Sequence, residues 1–335
     1  MSNTQLDLYV TSSPHLSNSK LSTRWIMLDV IIALVPAIGM SFYVFGLHAV
    51  FQIGLCLISC LVSEAVFESM RGRRPHLEDC SAIVTALILA LSLPWSAPWY
   101  VSVIGSVVAI GLGKIVFGGL GCNIFNPAMV GRAFVMLGFS SVMAASAYLL
   151  PSEAHVGGLD KGFAEILTQA TPMTLLKTGN AEYFTQLISQ TALIGHQNGS
   201  LGEASIIALF IGGIYLLIRK TVTWDVPVSV LASTFVFAAL FNMGPNAFQF
   251  GVAHVINGAI FLAAFFIASD PVTNPITTKG RIIFGIGFGF FTVLLRCCSS
   301  YPEGVMFAIL LMNAMVPMIN RMTIPKPVGA VKVAK

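Results

Sequence analysis

Apolar runs of bilayer-crossing length recur along the whole chain, divided by short links that are polar or contain glycine or proline. About 20 apolar residues in a row carry a helix across a hydrocarbon core of about 30 Å. Read that way, the pattern predicts about ten spans, near residues 25–46, 48–70, 79–95, 98–117, 127–149, 201–218, 226–242, 249–268, 281–296 and 303–320. Several of these are short and interrupted by Gly or Pro. The expected fold is therefore an all-α polytopic membrane protein with two transmembrane halves, 25–149 and 201–320. A polar tail 1–24 precedes them, a long loop 150–200 divides them, and a tail 321–335 follows.

Composition agrees with a lipid solvent. Hydrophobic residues make up 56% and charged residues 10%, whereas soluble domains average about a quarter charged. The first apolar stretch has the length of a full span, so no cleavable signal peptide is expected. The six cysteines form no CxxC pair. Most lie in apolar runs, where cysteine behaves as a small hydrophobe, so neither a disulfide framework nor a metal or iron–sulfur site is expected.

The net charge of +4 concerns the two sides of the membrane, and no nucleic-acid partner is expected. Most Lys and Arg fall in links that share one side: Lys20 and Arg24, Arg71 with Arg73 and Arg74, Arg219 and Lys220, Lys279 and Arg281, and Arg321 with the tail. The loop 150–200 holds only Lys161 and Lys177. The bias of basic residues toward the cytoplasmic side then places both termini inside and this loop outside, periplasmic for an inner-membrane protein. Trp25, Trp95, Trp99 and Trp224 fall near span ends, where interfacial tryptophans sit.

The chain repeats itself. Arg73-Arg74-Pro75, Asp79 and Asn126-Pro127 recur at nearly one offset as Arg219-Lys220, Asp225 and Asn274-Pro275, which argues for duplicated halves. A helix-breaking sequence precedes each Asn-Pro, Gly118-Gly119-Leu120-Gly121 in the first half and Ser269-Asp270-Pro271 in the second. Helix breaks free backbone groups that lipid cannot satisfy, so they persist only against protein or a polar cavity. Paired breaks in two halves point to a central site. Structural turns capped by Asn would give the same pattern.

Few residues can carry chemistry. Asp29, Asp79, Asp225 and Asp270, with Asn126 and Asn274 at the breaks, are the candidates for an ion path. Asp79 and Asp225 open helices, where a carboxylate also favours the positive end of the dipole. Glu64 and Glu68 are spaced i, i+4, and His254 and Asn257 share a helix face. Glu68, Arg71, Lys114 and Arg296 read as residues near the interface that pair locally or snorkel. In the outer loop, Thr171 makes a sensible N-cap and Pro172 a first helical residue. Pro172 also keeps Thr171 out of the helical region, leaving its hydroxyl presented.

Certain segments carry a resemblance over essentially the whole chain. They are Leu28-Asp29-Val30, Leu34-Val35-Pro36-Ala37, Glu78-Asp79 with Thr85-Ala86-Leu87, Asn123-Ile124-Phe125-Asn126-Pro127-Ala128, Ala170-Thr171-Pro172, and Asp270-Pro271-Val272-Thr273-Asn274-Pro275. In these the chain resembles the RnfD membrane proteins of Rnf electron-transport complexes (Rsx in enterobacteria), which are related to the NqrB protein of the sodium-pumping NADH:quinone reductase. The resemblance implies FMN joined through its phosphate to a threonine of a Ser/Thr-Gly-Ala-Thr motif. The matching residues are Thr168-Gln169-Ala170-Thr171, which makes Thr171 the attachment site and leaves Gln169 where the motif has glycine. It further implies a flavin transferase as a partner, the other Rnf/Rsx subunits as neighbours, and a second, non-covalent flavin (riboflavin or FMN), for which Asp29, Asp79, Asn126, Asp225, Asp270 and Asn274 are candidate contacts. The implied activity is electron transfer between ferredoxin and NAD, coupled to ion movement. The chain has no dinucleotide-binding fingerprint, so NAD would bind to a neighbouring protein of the complex. A solute channel or transporter of urea-transporter-like architecture fits the duplicated halves equally well, and a structural subunit without flavin fits Gln169.

Overall fold

The computed structural model describes residues 22–72, 77–143, 200–203, 205–241, 246–257, 259–299 and 304–325. All regular structure among them is helical, apart from one isolated bridge between Pro94 and Ser200. The helices are α1 (Thr23–Phe45), α2 (Leu47–Met70), α3 (Ser81–Ser92), α4 (Trp99–Ile110), α5 (Pro127–Gly138), α6 (Ile206–Ile218), α7 (Asp225–Phe241), α8 (Ala247–Ile256), α9 (Ile260–Leu262), α10 (Thr278–Cys298) and α11 (Val305–Thr323). Two π turns extend α4 through Gly111–Ile115 and α9 through Ala263–Ile267.

The surface is inverted relative to a soluble protein. Tyr43, Leu47, Phe51, Ile58, Met70, Ile218 and Phe248 are exposed, while Asp29, Glu64, Glu68, Lys114, Asp225 and Arg296 are buried. Apolar side chains outside and ionisable ones inside are what a lipid solvent selects. The chain is a multi-pass membrane protein.

The individual spans differ from the sequence pattern. Among the described residues, four helices, α1, α2, α10 and α11, are long and apolar enough to cross by themselves, and a fifth crossing arises if α8 and the helix Ile260–Ile267 count as one span bent by 64°. The others are shorter. With 12 residues each, α3 and α5 rise only about 18 Å, against about 30 Å of hydrocarbon. Protein surrounds α3: all its side chains but Ile83 are buried. Of the predicted span 127–149, Pro127–Gly138 and Ser140–Met143 are helical, and residues 144–149 lie outside the described residues. Residues 150–199, with Thr171 and Gln169, lie outside the described residues, as do Arg73, Arg74 and Pro75.

The halves are packed through each other. Helix α1 lies along α6, and α5 touches α11. Where the second half begins, the Leu201 N–H donates to the Leu93 carbonyl at the end of α3 (3.1 Å). The Ser41 hydroxyl of α1 donates to the Leu201 carbonyl at 2.8 Å. Gly46 turns α1 into α2 at φ +63°, a conformation that glycine adopts without cost.

The most extensive helix contact joins α7 and α10, and it depends on small residues. A Cβ at Gly285 would collide with Ser229 Oγ, and one at Gly289 with Ser233 Oγ. Glycines four apart against serines four apart let two backbones approach closely, which is how helices associate where burial from water supplies no drive. Gly289→Val is expected to destabilise the fold by about 1–3 kcal/mol through overpacking. Gly39→Ala, whose Cβ would meet nothing within 4 Å, is expected to be neutral. The check is the temperature at which the detergent-solubilised protein loses monodisperse elution; equal midpoints for the two variants would contradict the packing account.

Candidate functional site

The first break is built from local chemistry. After the π turn, Gly118, Gly119 and Gly121 take φ of +127°, +105° and +87°, which unwinds the chain at a place where other residues would be strained. Asn126 then restarts the helix as N-cap of α5. Its Oδ1 accepts from the N–H groups of Ala128 (3.1 Å) and Met129 (3.4 Å), and Pro127 takes the first helical position, where a missing N–H costs nothing. The second break repeats the order. A π turn ends at Ile267, and Asp270 then accepts from the Val272 N–H (3.3 Å) and the Thr273 hydroxyl (3.2 Å). Asn274-Pro275 follow, and Thr277 caps α10 through the Gly280 N–H (3.0 Å). Single π turns inside α-helices often sit at functional sites; here one stands before each break.

The two breaks meet. Asn126 Nδ2 reaches the Ile267 carbonyl at 3.5 Å, so one side chain caps a helix of its own half and touches the π turn of the other. Between them lies a cavity of about 70 Å³. Ser81, Thr85, Lys114 and Asn126 line it from the first half, and Phe265, Phe266, Ser269 and Asp270 from the second, with Met27 and Val30 of α1 closing a side. Since a water needs about 10–15 Å³ by this measure, the space suits a few waters or a hydrated ion. A flavin ring needs several times more, in line with small-molecule pockets of about 300–1,000 Å³.

A chain of charges leads into this cavity. Lys114 Nζ pairs with Glu64 Oε1 and donates to Ser81 Oγ at 2.5 Å. The Ser81 hydroxyl donates to Asp79 Oδ1 (2.8 Å), which also accepts the Ser81 N–H (3.0 Å). The Lys114 and Glu64 side chains are 4% and 3% exposed. Glu64 Oε2 and Glu68 Oε2 are buried without a hydrogen-bond partner among the described residues. An open cleft of about 730 Å³, lined by Arg24, Glu64, Glu68, Glu78, Asp79 and Lys114, lies on one side of the pair. Lys114 lines both this cleft and the inner cavity, so it stands between them.

Of the sequence candidates, the structure gathers Asp79, Asn126 and Asp270 around the junction. Asp29 is engaged elsewhere: its carboxylate pairs with Arg219 (3.3 Å) and accepts from Tyr215 and Thr221 (3.2 Å each), tying α1 to the end of α6. Asp225 pairs with Arg281 at 3.3 Å and links α7 to α10. Asn274 does not line the cavity, and its buried Oδ1 has no partner among the described residues. Sequence reasoning misses Ser81, and it misses the contact of Lys114 with Glu64, which spans 50 residues. Snorkelling is corrected for three residues. Glu68, Lys114 and Arg296 are buried, and Arg296 donates to the carbonyls of His254 (2.7 Å) and Asn257 (3.2 Å), filling orphan acceptors where α8 bends into α9. Arg71 does pair locally, donating to the π-turn carbonyl of Ile115 at 2.8 Å.

Paired helix breaks around a small cavity with polar groups in its wall, inside a multi-pass helical membrane protein, define the class: an integral membrane protein of the broken-helix kind with its candidate site between the two halves. The chain belongs to the NQR2, RnfD, RnfE family, whose pattern matches residues 9–329. It is 38% identical to the D component of the Na(+)-translocating ferredoxin:NAD(+) oxidoreductase complex of Acetobacterium woodii, over 99% of this chain and 98% of that one. It is also 38% identical to the D component of the proton-translocating ferredoxin:NAD(+) oxidoreductase complex of Clostridium ljungdahlii, over 96% of each. The D component of the ion-translocating oxidoreductase complex of Actinobacillus succinogenes is 38% identical over 96% of this chain and 97% of its own length.

Removing one member of a buried ion pair strands the other charge, at about 3–5 kcal/mol. Lys114→Met is therefore expected to lower the thermal midpoint of the solubilised protein sharply, and Lys114→Met combined with Glu64→Gln to recover most of the loss. A double variant no better than the single one would contradict mutual compensation of the two buried charges.

Proposed function

We propose that this chain is the membrane-embedded, flavin-carrying RnfD-type component of an ion-translocating ferredoxin:NAD oxidoreductase complex of the Rnf/Rsx kind. The observation that carries the reading is similarity at 38% identity over nearly the full length to components with that printed function. Catalysis then belongs to the assembled complex, and the other Rnf/Rsx subunits are the chain's partners in the inner membrane. Both termini face the cytoplasm.

FMN is held as a phosphoester on Thr171, placed there by a flavin transferase that acts on the periplasmic side. When bound, FMN supplies one- and two-electron chemistry. The chain's own part is to present the Thr171 hydroxyl, with Pro172 holding the residue out of helical conformation. The second, non-covalent flavin is not assigned to the junction, whose cavity is too small. The junction belongs instead to the ion path: a cation arriving in the acidic cleft meets the Glu64–Lys114 pair before it can enter the cavity at Ser81, Asn126 and Asp270. The same pair weighs against a solute channel, because it separates the open cleft from the small inner space. Relatives named for sodium and for proton translocation are each 38% identical to this chain.

Coexpression with a flavin transferase, followed by denaturing electrophoresis and flavin fluorescence of the gel, tests the cofactor. The wild-type band is expected to fluoresce, Thr171→Ala to be dark, and Thr168→Ala and Gln169→Gly to stay bright. A dark wild-type band beside a flavinylated control acceptor, or a bright Thr171→Ala band, would sink the attachment.

A further inference from the structure

A second hollow lies on the outer surface where α7 and α10 run together. It measures about 410 Å³ and is walled by Val228, Val236, Phe237, Ile282 and Ile286, with Trp224 and Asp225 at one end. Its origin is the small-residue seam. Because Ser229 and Ser233 press against Gly285 and Gly289, the backbones nearly touch and the larger side chains stand to either side of a furrow. The furrow offers no free hydroxyl: Ser229 donates to the Val226 carbonyl, and Ser233 to those of Val230 and Gly285, each at 3.0 Å. Val228, Val236, Ile282 and Ile286 are exposed.

The end of the furrow is different. Asp225 is neutralised there by Arg281, whose guanidinium also donates to the Thr223 hydroxyl at 2.7 Å. Lys279 is exposed and precedes Ile282 and Ile286 at i, i+3 and i+7, so it shares their helix face. Lys220 is exposed in the turn before Trp224, and Trp224 is 63% exposed, as interfacial tryptophans are. An apolar shaft thus ends in a cationic mouth beside a tryptophan.

We infer that this furrow holds an anionic phospholipid, one acyl chain along the shaft and the phosphate at the mouth near Lys279 and Arg281. Basic pockets between transmembrane helices bind anionic headgroups in this way. A helix from another protein of the complex is the less suitable occupant, because it would bury Lys279 at a seam whose one acidic residue, Asp225, is already paired, and lysine is depleted from interface cores. The inference is independent of the flavin and of the ion path.

The test is native mass spectrometry of the full chain in the complex it co-purifies with, titrated in detergent with phosphatidylglycerol or phosphatidylcholine, reading lipid retained on the released chain. Phosphatidylglycerol is expected to be retained over phosphatidylcholine. Lys279→Gln, an exposed change that spares the fold, is expected to weaken retention about fivefold. Val228→Trp, which fills the shaft, is expected to abolish it. Equal retention of both lipids, or retention unchanged in both variants, would overturn the inference. Loss of a neighbouring protein from either variant with lipid binding intact would overturn it in favour of a protein interface.

Discussion

A backbone carbonyl or N–H inside a bilayer must find a partner within the protein, and the centre of this molecule is organised by that requirement. Two helices are interrupted, one in each half, and every interruption frees groups that lipid cannot serve. Local devices satisfy most of them: the Asn126 and Thr277 caps, the Asp270 turn, and the Arg296 guanidinium on the carbonyls of the α8–α9 bend. The remainder is settled by bringing the breaks together, with the Asn126 amide directed at the Ile267 carbonyl. Once unwound segments from both halves share one place, a small cavity follows whose mostly apolar wall carries a few polar groups, Ser81, Lys114, Asn126 and Asp270 among them.

The same constraint explains the buried charges. Lysine and glutamate are costly inside a membrane, and here they are held in a connected series, Glu64–Lys114–Ser81–Asp79. Opposite charges in contact offset much of each other's desolvation, while a lone one would not be tolerated. A pair of that kind between an open cleft and a small cavity is also a place where an entering cation would disturb the balance. Structural necessity and the proposed coupling role therefore fall on the same residues.

Much of this is legible in the sequence, for identifiable reasons. Helices α1, α2, α10 and α11 read as spans, and are long enough to be so, because each exceeds 18 residues and contains a strongly apolar stretch of 18. The breaks are legible because Gly-Gly-x-Gly and Asp-Pro leave a local mark, and the repeated Asn-Pro ties them together. The regular helices α3 and α5, 12 residues each, are shorter than the apolar stretches that predict them. The burial of Lys114 is hidden because its partner is distant in sequence; nothing local distinguishes a snorkelling lysine from a buried one. The roles of Asp29 and Asp225 as tethers to Arg219 and Arg281 likewise need the third dimension.

The central claim is that the contact between the two breaks lies on the ion path. Asn126→Ser isolates it: serine keeps the N-cap of α5 but is too short to reach Ile267. In proteoliposomes containing the whole complex, the quantity to measure is ions taken up per electron pair passed between ferredoxin and NAD. The account predicts that electron transfer continues in the variant while this ratio falls. An unchanged ratio at an unchanged rate of electron transfer would contradict it.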